Sequence, residues 1–93
     1  MPGRIVKGWD PGKLPSPTLV RLVLLISGRD VETFADRVVL RSPQTVENWL
    51  SGKSAPPRYL RDTLERIARR ANQEGRVEAL LPLLHEPEPL EQD

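Results

Sequence analysis

The residues best suited to chemistry in this chain lie on one short run, Ser42-Pro43-Gln44-Thr45-Val46-Glu47-Asn48-Trp49-Leu50-Ser51-Gly52-Lys53. Gln44, Thr45, Glu47 and Asn48 are short polar side chains gathered near its start. Their chemistry is recognition by hydrogen bonding. Gln and Asn can each bond adenine through two hydrogen bonds, Glu can accept from the cytosine amino group, and a Thr methyl can touch that of thymine. Around them stand candidates for holding phosphate: Arg41, Ser42, Ser51, Lys53, Ser54, Arg58 and Tyr59. Helix N-termini, hydroxyls and basic side chains fix a protein on a nucleic-acid backbone in this way. Arg4, Lys7 and Lys13, near the start of the chain, could reach a groove or a backbone beside the main contact.

Catalysis has little support. The one histidine, His85, sits near the end of the chain. With no cysteine, neither disulfides nor thiolate metal sites can form. No His or carboxylate cluster has metal-ligand spacing, and no glycine-rich phosphate loop is present. The expectation is a protein that is not an enzyme and takes no metal, cofactor or small-molecule ligand. Asp30, Glu32 and Asp36 fall close together, but at a helix start, where acids complement the dipole.

The elements that must position these residues can be read from apolar spacing and breakers. Residues 1–16 hold Pro2, Pro11 and Pro15 among three glycines, which predicts an extended, flexible basic arm with no helix. Trp9 within it reads as an anchor on the body. Pro17 can open a first helix with Ser16 as cap, and Leu19, Leu22, Val23 and Ile26 fall at helical spacing. Val20, Leu24 and Leu25 make that helix apolar on nearly all sides, so it must be buried on more than one face. Gly28 ends it. Asp30 caps a short second helix whose inner face is Val31, Phe34, Ala35 and Val38. Ser42 caps the third, with Pro43 at its first position and Val46, Trp49 and Leu50 facing inward. Ser51-Gly52 stops it. A fourth helix is predicted from Pro57 to Gln73, with a stripe of Leu60, Leu64, Ile67, Ala68 and Ala71. Val77, Leu80, Leu81 and Leu84 form a last apolar stripe. Pro82 interrupts it, which predicts a helix that ends at Leu81 or kinks there. The class is therefore all-α, a bundle of four to five helices over residues 17–84, followed at 85–93 by a disordered acidic tail.

Phe34 to Pro56 resembles, as a unit, the helix-turn-helix of the phage-repressor (Cro-type) family. The matching residues are Phe34-Ala35, Ser42, Thr45, Val46, Trp49, Gly52, Lys53 and Pro56. The resemblance implies that the helix from Pro43 enters the major groove and sets Gln44, Thr45, Glu47 and Asn48 against bases. One feature departs from the family. Its turn usually reads Leu-Gly-Val-Ser, with glycine taking a left-handed backbone. Here Val38-Val39-Leu40-Arg41-Ser42 is one residue longer and has no glycine. The turn must open differently, for instance with one more residue on the second helix.

The formal net charge is +1, but its distribution is uneven. All 14 Lys and Arg lie at or before Arg76, with eight of the 13 acids, whereas the rest of the chain carries acids alone. A basic body fits a polyanion partner. The longest apolar run, Leu22 to Ile26, is far short of the roughly 20 residues of a membrane span. Nor does the start have the apolar stretch of a secretory signal, and a cytoplasmic location is expected. The Leu80, Leu81, Leu84 stripe and the surplus apolar surface of the first helix leave two alternatives: a two-fold dimer interface, or a stripe folded back on the first helix within one chain. The expected function is a sequence-specific regulator of transcription that binds double-stranded DNA, bacterial or phage, and represses as a dimer by occupying an operator. The alternatives are a phage packaging or replication factor, or a protein-interaction module such as an antitoxin or anti-factor.

Overall fold

A long apolar helix, α1 (Ser16–Ser27), forms the centre of the computed structural model, which describes residues 3–84. The expected acidic tail and His85 lie outside the described residues. Leu19, Val20, Leu22 and Val23 of α1 are almost wholly buried, each contributing roughly 1.5–3 kcal/mol by leaving water. Such a helix needs cover on several sides, and it is packed by α2 (Val31–Phe34), α3 (Pro43–Ser51), α4 (Arg58–Gln73) and α5 (Leu81–Leu84). There is no strand among the described residues, so the all-α bundle is as expected. No helix among them is long and apolar enough to cross a membrane.

α1 begins one residue earlier than its sequence suggests. Pro15, in extended backbone, takes the N-cap position, and Ser16 lies within the first turn. The Ser16 hydroxyl is therefore free to accept from Arg61 Nη1 at 2.9 Å. Arg61 also donates to the Gly12 and Leu14 carbonyls (3.1 and 2.7 Å) and pairs with Glu65 at 2.9 Å. At the other end Arg76 Nη2 donates to the Ile26 carbonyl at 2.6 Å. These two arginines tie the starts and the ends of α1 and α4 together, so the helices run side by side in the same direction.

The N-terminal arm is docked, not free. Val6 donates its N–H to Asn72 Oδ1 (2.8 Å) and accepts from Asn72 Nδ2 (3.1 Å), so one buried amide satisfies both backbone groups of the arm. Gly3 lies directly against Gly75, whose φ is +73°. A Cβ on Gly75 would come within 2.3 Å of the Gly3 carbonyl oxygen, so only glycine permits this crossing. Composition also misjudged the arm's conformation. Pro11 opens a 3-10 turn, Pro11–Lys13, because its missing N–H costs nothing at a first position. Trp9 packs against the core, as an anchor should.

The end of the described chain also differs. Pro82 does not stop a helix but helps to start one, because α5 opens at Leu81 and proline is tolerated in a first turn. Val77 is fully buried, and the chain from it to Leu81 is turn, closed by Leu80 and Leu81 N–H groups on the Val77 carbonyl. Leu80, Leu81 and Leu84 pack against the core within the chain, and α5 lies on α1. Of the two alternatives for this stripe, that contact is the fold-back one.

Asn72→Ala should destabilise the fold by about 2 kcal/mol, since two backbone groups lose their partner. Urea denaturation measures this. Asn72→Asp, which keeps the acceptor and loses the donor at nearly the same volume, should also destabilise. A native midpoint in the Asp variant would mean that Asn72 acts by filling space alone.

Candidate nucleic-acid interface

α3 owes its position to its caps and its inner face. Ser42 Oγ accepts from the Thr45 N–H at 3.2 Å, and Pro43 takes the first helical position, where its missing N–H costs nothing. Gly52, at φ 84°, ends the helix, and the Lys53 and Ser54 N–H groups return to the Asn48 carbonyl (2.9 and 3.3 Å). Val46 and Trp49 are buried and clamp α3 to α1. The opposite side is left to solvent.

On that side Gln44 and Glu47 are exposed, and Thr45 and Asn48 half-buried. All four expected recognition residues thus share the outward portion of one helix. Gln44 Nε2 donates to Asn48 Oδ1 at 3.0 Å, one turn along. This link aligns two amides and leaves the Gln44 carbonyl and the Asn48 NH2 with no protein partner among the described contacts. The Thr45 hydroxyl is already engaged by Ser42 Oγ at 2.9 Å.

The expected phosphate contacts divide in two. At the start of α3, Arg41 Nη1 donates to the Leu40 carbonyl at 3.2 Å, Nη2 bonds the Tyr59 hydroxyl, and the guanidinium lies 5.9 Å from the Tyr59 ring centroid. Tyr59 thereby holds Arg41 in place, by a hydrogen bond and by a cation–π contact. At the end of α3, Lys53, Ser54 and Arg58 are exposed. The Ser51 hydroxyl turns back to the Asn48 carbonyl at 3.2 Å, which occupies its donor. Arg58 and Arg61 also line an open groove of about 500 Å³ with Asp62 and Glu65, whose charges oppose theirs.

The three arm cations are not brought together. Arg4 is held at the far end of α4, where its N–H donates to Glu78 Oε1 at 3.0 Å. Nearly the whole length of α4, roughly 21 Å from Tyr59 to Gln73, separates that point from Tyr59. Lys13 follows Gly12, whose carbonyl Arg61 holds, and so belongs to the near end. Lys7 is exposed beside the Val6–Asn72 crossing. With the arm docked, only Lys13 stands close to the start of α4.

The turn that precedes α3 solves the missing-glycine problem in two steps. The extra residue is absorbed as a π turn, Ala35–Val39, which widens the last turn of the second helix. Leu40 then takes the left-handed conformation itself, at φ 58°. The Leu40 and Arg41 N–H groups both reach the Ala35 carbonyl, so the chain reverses around a fully buried alanine.

Sequence reasoning missed Asn72, Arg61 and the role of Leu40. Asn72 had a signal: it stands four residues after Ala68 and eight after Leu64, in the core register of α4, where a polar residue needs a buried partner. Arg61 and Leu40 had none, because their partners come from tertiary contacts and backbone geometry.

The acids are local. Asp30 Oδ1 accepts from the Thr33 N–H at 2.8 Å, which with the Thr33 side chain holds its carboxyl below the ordinary 3.8. The Gly12 N–H lowers Asp10 in the same way, opposed by partial desolvation and helped by Arg69 at 3.0 Å. Asp36 pairs with its neighbour Arg37 at 3.4 Å.

No family model matches the chain, and no curated protein and no solved structure matches it.

The lowered carboxyls set a pH response. Their contribution to stability is fully present above 3.8 and is lost as pH falls through the lower folded-state value. Asp30→Asn keeps a cap without the charge. Its urea midpoint should lie below the native one at neutral pH, and the two should converge as pH falls below 3.8. Parallel curves down to the acid limit would show that the carboxylate is not what stabilises α2.

Proposed function

We propose that this chain is a sequence-specific DNA-binding regulator of the phage-repressor helix-turn-helix kind, a dimeric repressor that acts in the cytoplasm by occupying an operator. One observation carries this reading. A helix clamped from behind by Val46 and Trp49 presents Gln44, Glu47 and the linked Asn48 outward, with Arg41 fixed at one end and Lys53 at the other. That is the division of labour a duplex requires: amides and a carboxylate for base edges, cations at the flanks for phosphates. The short second helix packs against α3, as a positioning helix would.

A titration by fluorescence anisotropy against duplexes enriched from a random pool tests the reading. Binding should fall steeply with salt. Gln44→Ala and Asn48→Ala should each cost about 1–3 kcal/mol and relax the choice of one base pair. Lys53→Ala should weaken all sequences alike. If no sequence is enriched and no salt-dependent binding occurs at micromolar protein, the chain is not such a regulator.

As a dimer, the protein would set its two α3 helices about 34 Å apart on a near-palindromic site. Leu80, Leu81 and Leu84 are half-buried against the core, so the large apolar side chain that α5 leaves most exposed is Leu83, at 51%. Leu83→Glu should halve the molar mass found by light scattering. A mass that stays dimeric would move the interface away from α5.

A further inference from the structure

We infer that Leu40 is a base-contacting residue, an apolar tooth at the edge of the α3 interface that meets the 5-methyl group of thymine. This rests on the DNA-binding reading above and names a specificity that the polar residues of α3 do not supply.

Two independent observations single out Leu40. It is the one non-glycine residue with positive φ among the described residues, at 58°. Among the described residues it is also the most exposed of the large hydrophobic side chains, at 73%. A left-handed backbone is costly for leucine and nearly free for glycine. The side chain returns little to the fold, since it does not belong to the core or to the partly buried residues packed against it. What the fold does use is backbone: the Leu40 N–H on the Ala35 carbonyl, and the Leu40 carbonyl that holds Arg41. Glycine would supply both. Strain kept at an exposed position, where the simplest residue would relieve it, points to a contact outside the chain.

The position identifies the contact. Leu40 stands two residues before Ser42, the N-cap of α3, and beside the Arg41 guanidinium that Tyr59 holds. A phosphate on Arg41 would bring the adjacent base pairs up to Leu40. Leucine has neither donor nor acceptor, so it can discriminate only apolar groups. In the major groove that group is the thymine methyl.

The test uses the full chain and a duplex that it selects. Each thymine is replaced in turn by deoxyuridine, which removes the methyl and nothing else. One such position should weaken native binding about fivefold or more, and Leu40→Gly should bind the thymine duplex with the same loss and be indifferent to deoxyuridine there. Leu40→Gly should meanwhile raise the urea midpoint, which separates lost recognition from lost fold. If Leu40→Gly binds like the native chain, or weakens thymine and deoxyuridine duplexes equally at every position, the inference is overturned. If no duplex is selected, the regulator reading falls and this inference falls with it.

Discussion

α1 carries a single charged residue, Arg21, in twelve, and its apolar side chains point in nearly every direction. A helix of that kind is stable in water only when other elements enclose it. The enclosure dictates the rest of the molecule. α4 covers one flank with Leu60, Leu64, Ala68 and Ala71, and α3 covers another with Val46 and Trp49. Phe34 and Ala35 of the second helix and the turn at Val77 complete the core. Because α3 must spend Val46 and Trp49 on this task, its other side is necessarily the one that carries Gln44 and Glu47. The candidate interface is thus the remainder left by core formation. Its orientation is as secure as the packing behind it.

Apolar burial has no direction, so polar contacts have to set how the elements lie against one another. Arg61 and Arg76 do this for α1 and α4, at opposite ends, by donating to carbonyls that helix and turn geometry would leave unpaired. Asn72 does it for the arm. Its amide matches the donor and acceptor of Val6 as a strand neighbour would, and it is the one buried polar residue among the described residues. The 3-10 turn of the arm in turn packs against α4. A tethered arm and a free one have different electrostatic consequences. Docking fixes Arg4 beside Glu78, beyond the far end of α4 from Tyr59.

The turn before α3 shows how a local rule can be broken and compensated. A chain reversal at a helix end needs a left-handed residue, and glycine is the usual choice. Here the one additional residue enters as a π turn, and Leu40 takes the left-handed position at a cost. Ala35, fully buried, allows the close approach that the reversal requires. Arg41, Leu40 and Tyr59 then form a small assembly at the start of α3, joined by hydrogen bonds and by a cation–π contact. The departure from the expected turn sits at the exposed start of α3, so the core keeps its packing.

Periodicity and caps were enough to place α1 to α4, the inner and outer faces of α3 and the stop signals at Gly28 and Gly52. Those features depend on residues within a turn or two of each other, and such interactions are written in the order of the chain. The outer face at Gln44, Glu47 and Asn48 was legible for the same reason. Three things were decided only by the tertiary structure. Proline content made the arm look unattached, but Asn72 and Gly75, more than sixty residues away, hold it. Pro82 looked like an end and is a beginning, because the packing of Val77 redirects the chain before it. The glycine-free turn could not be resolved from composition, since the choice between a π turn and a longer loop depends on what Ala35 packs against. In each case the deciding energy comes from a partner distant in sequence, and a linear pattern holds no record of that distance.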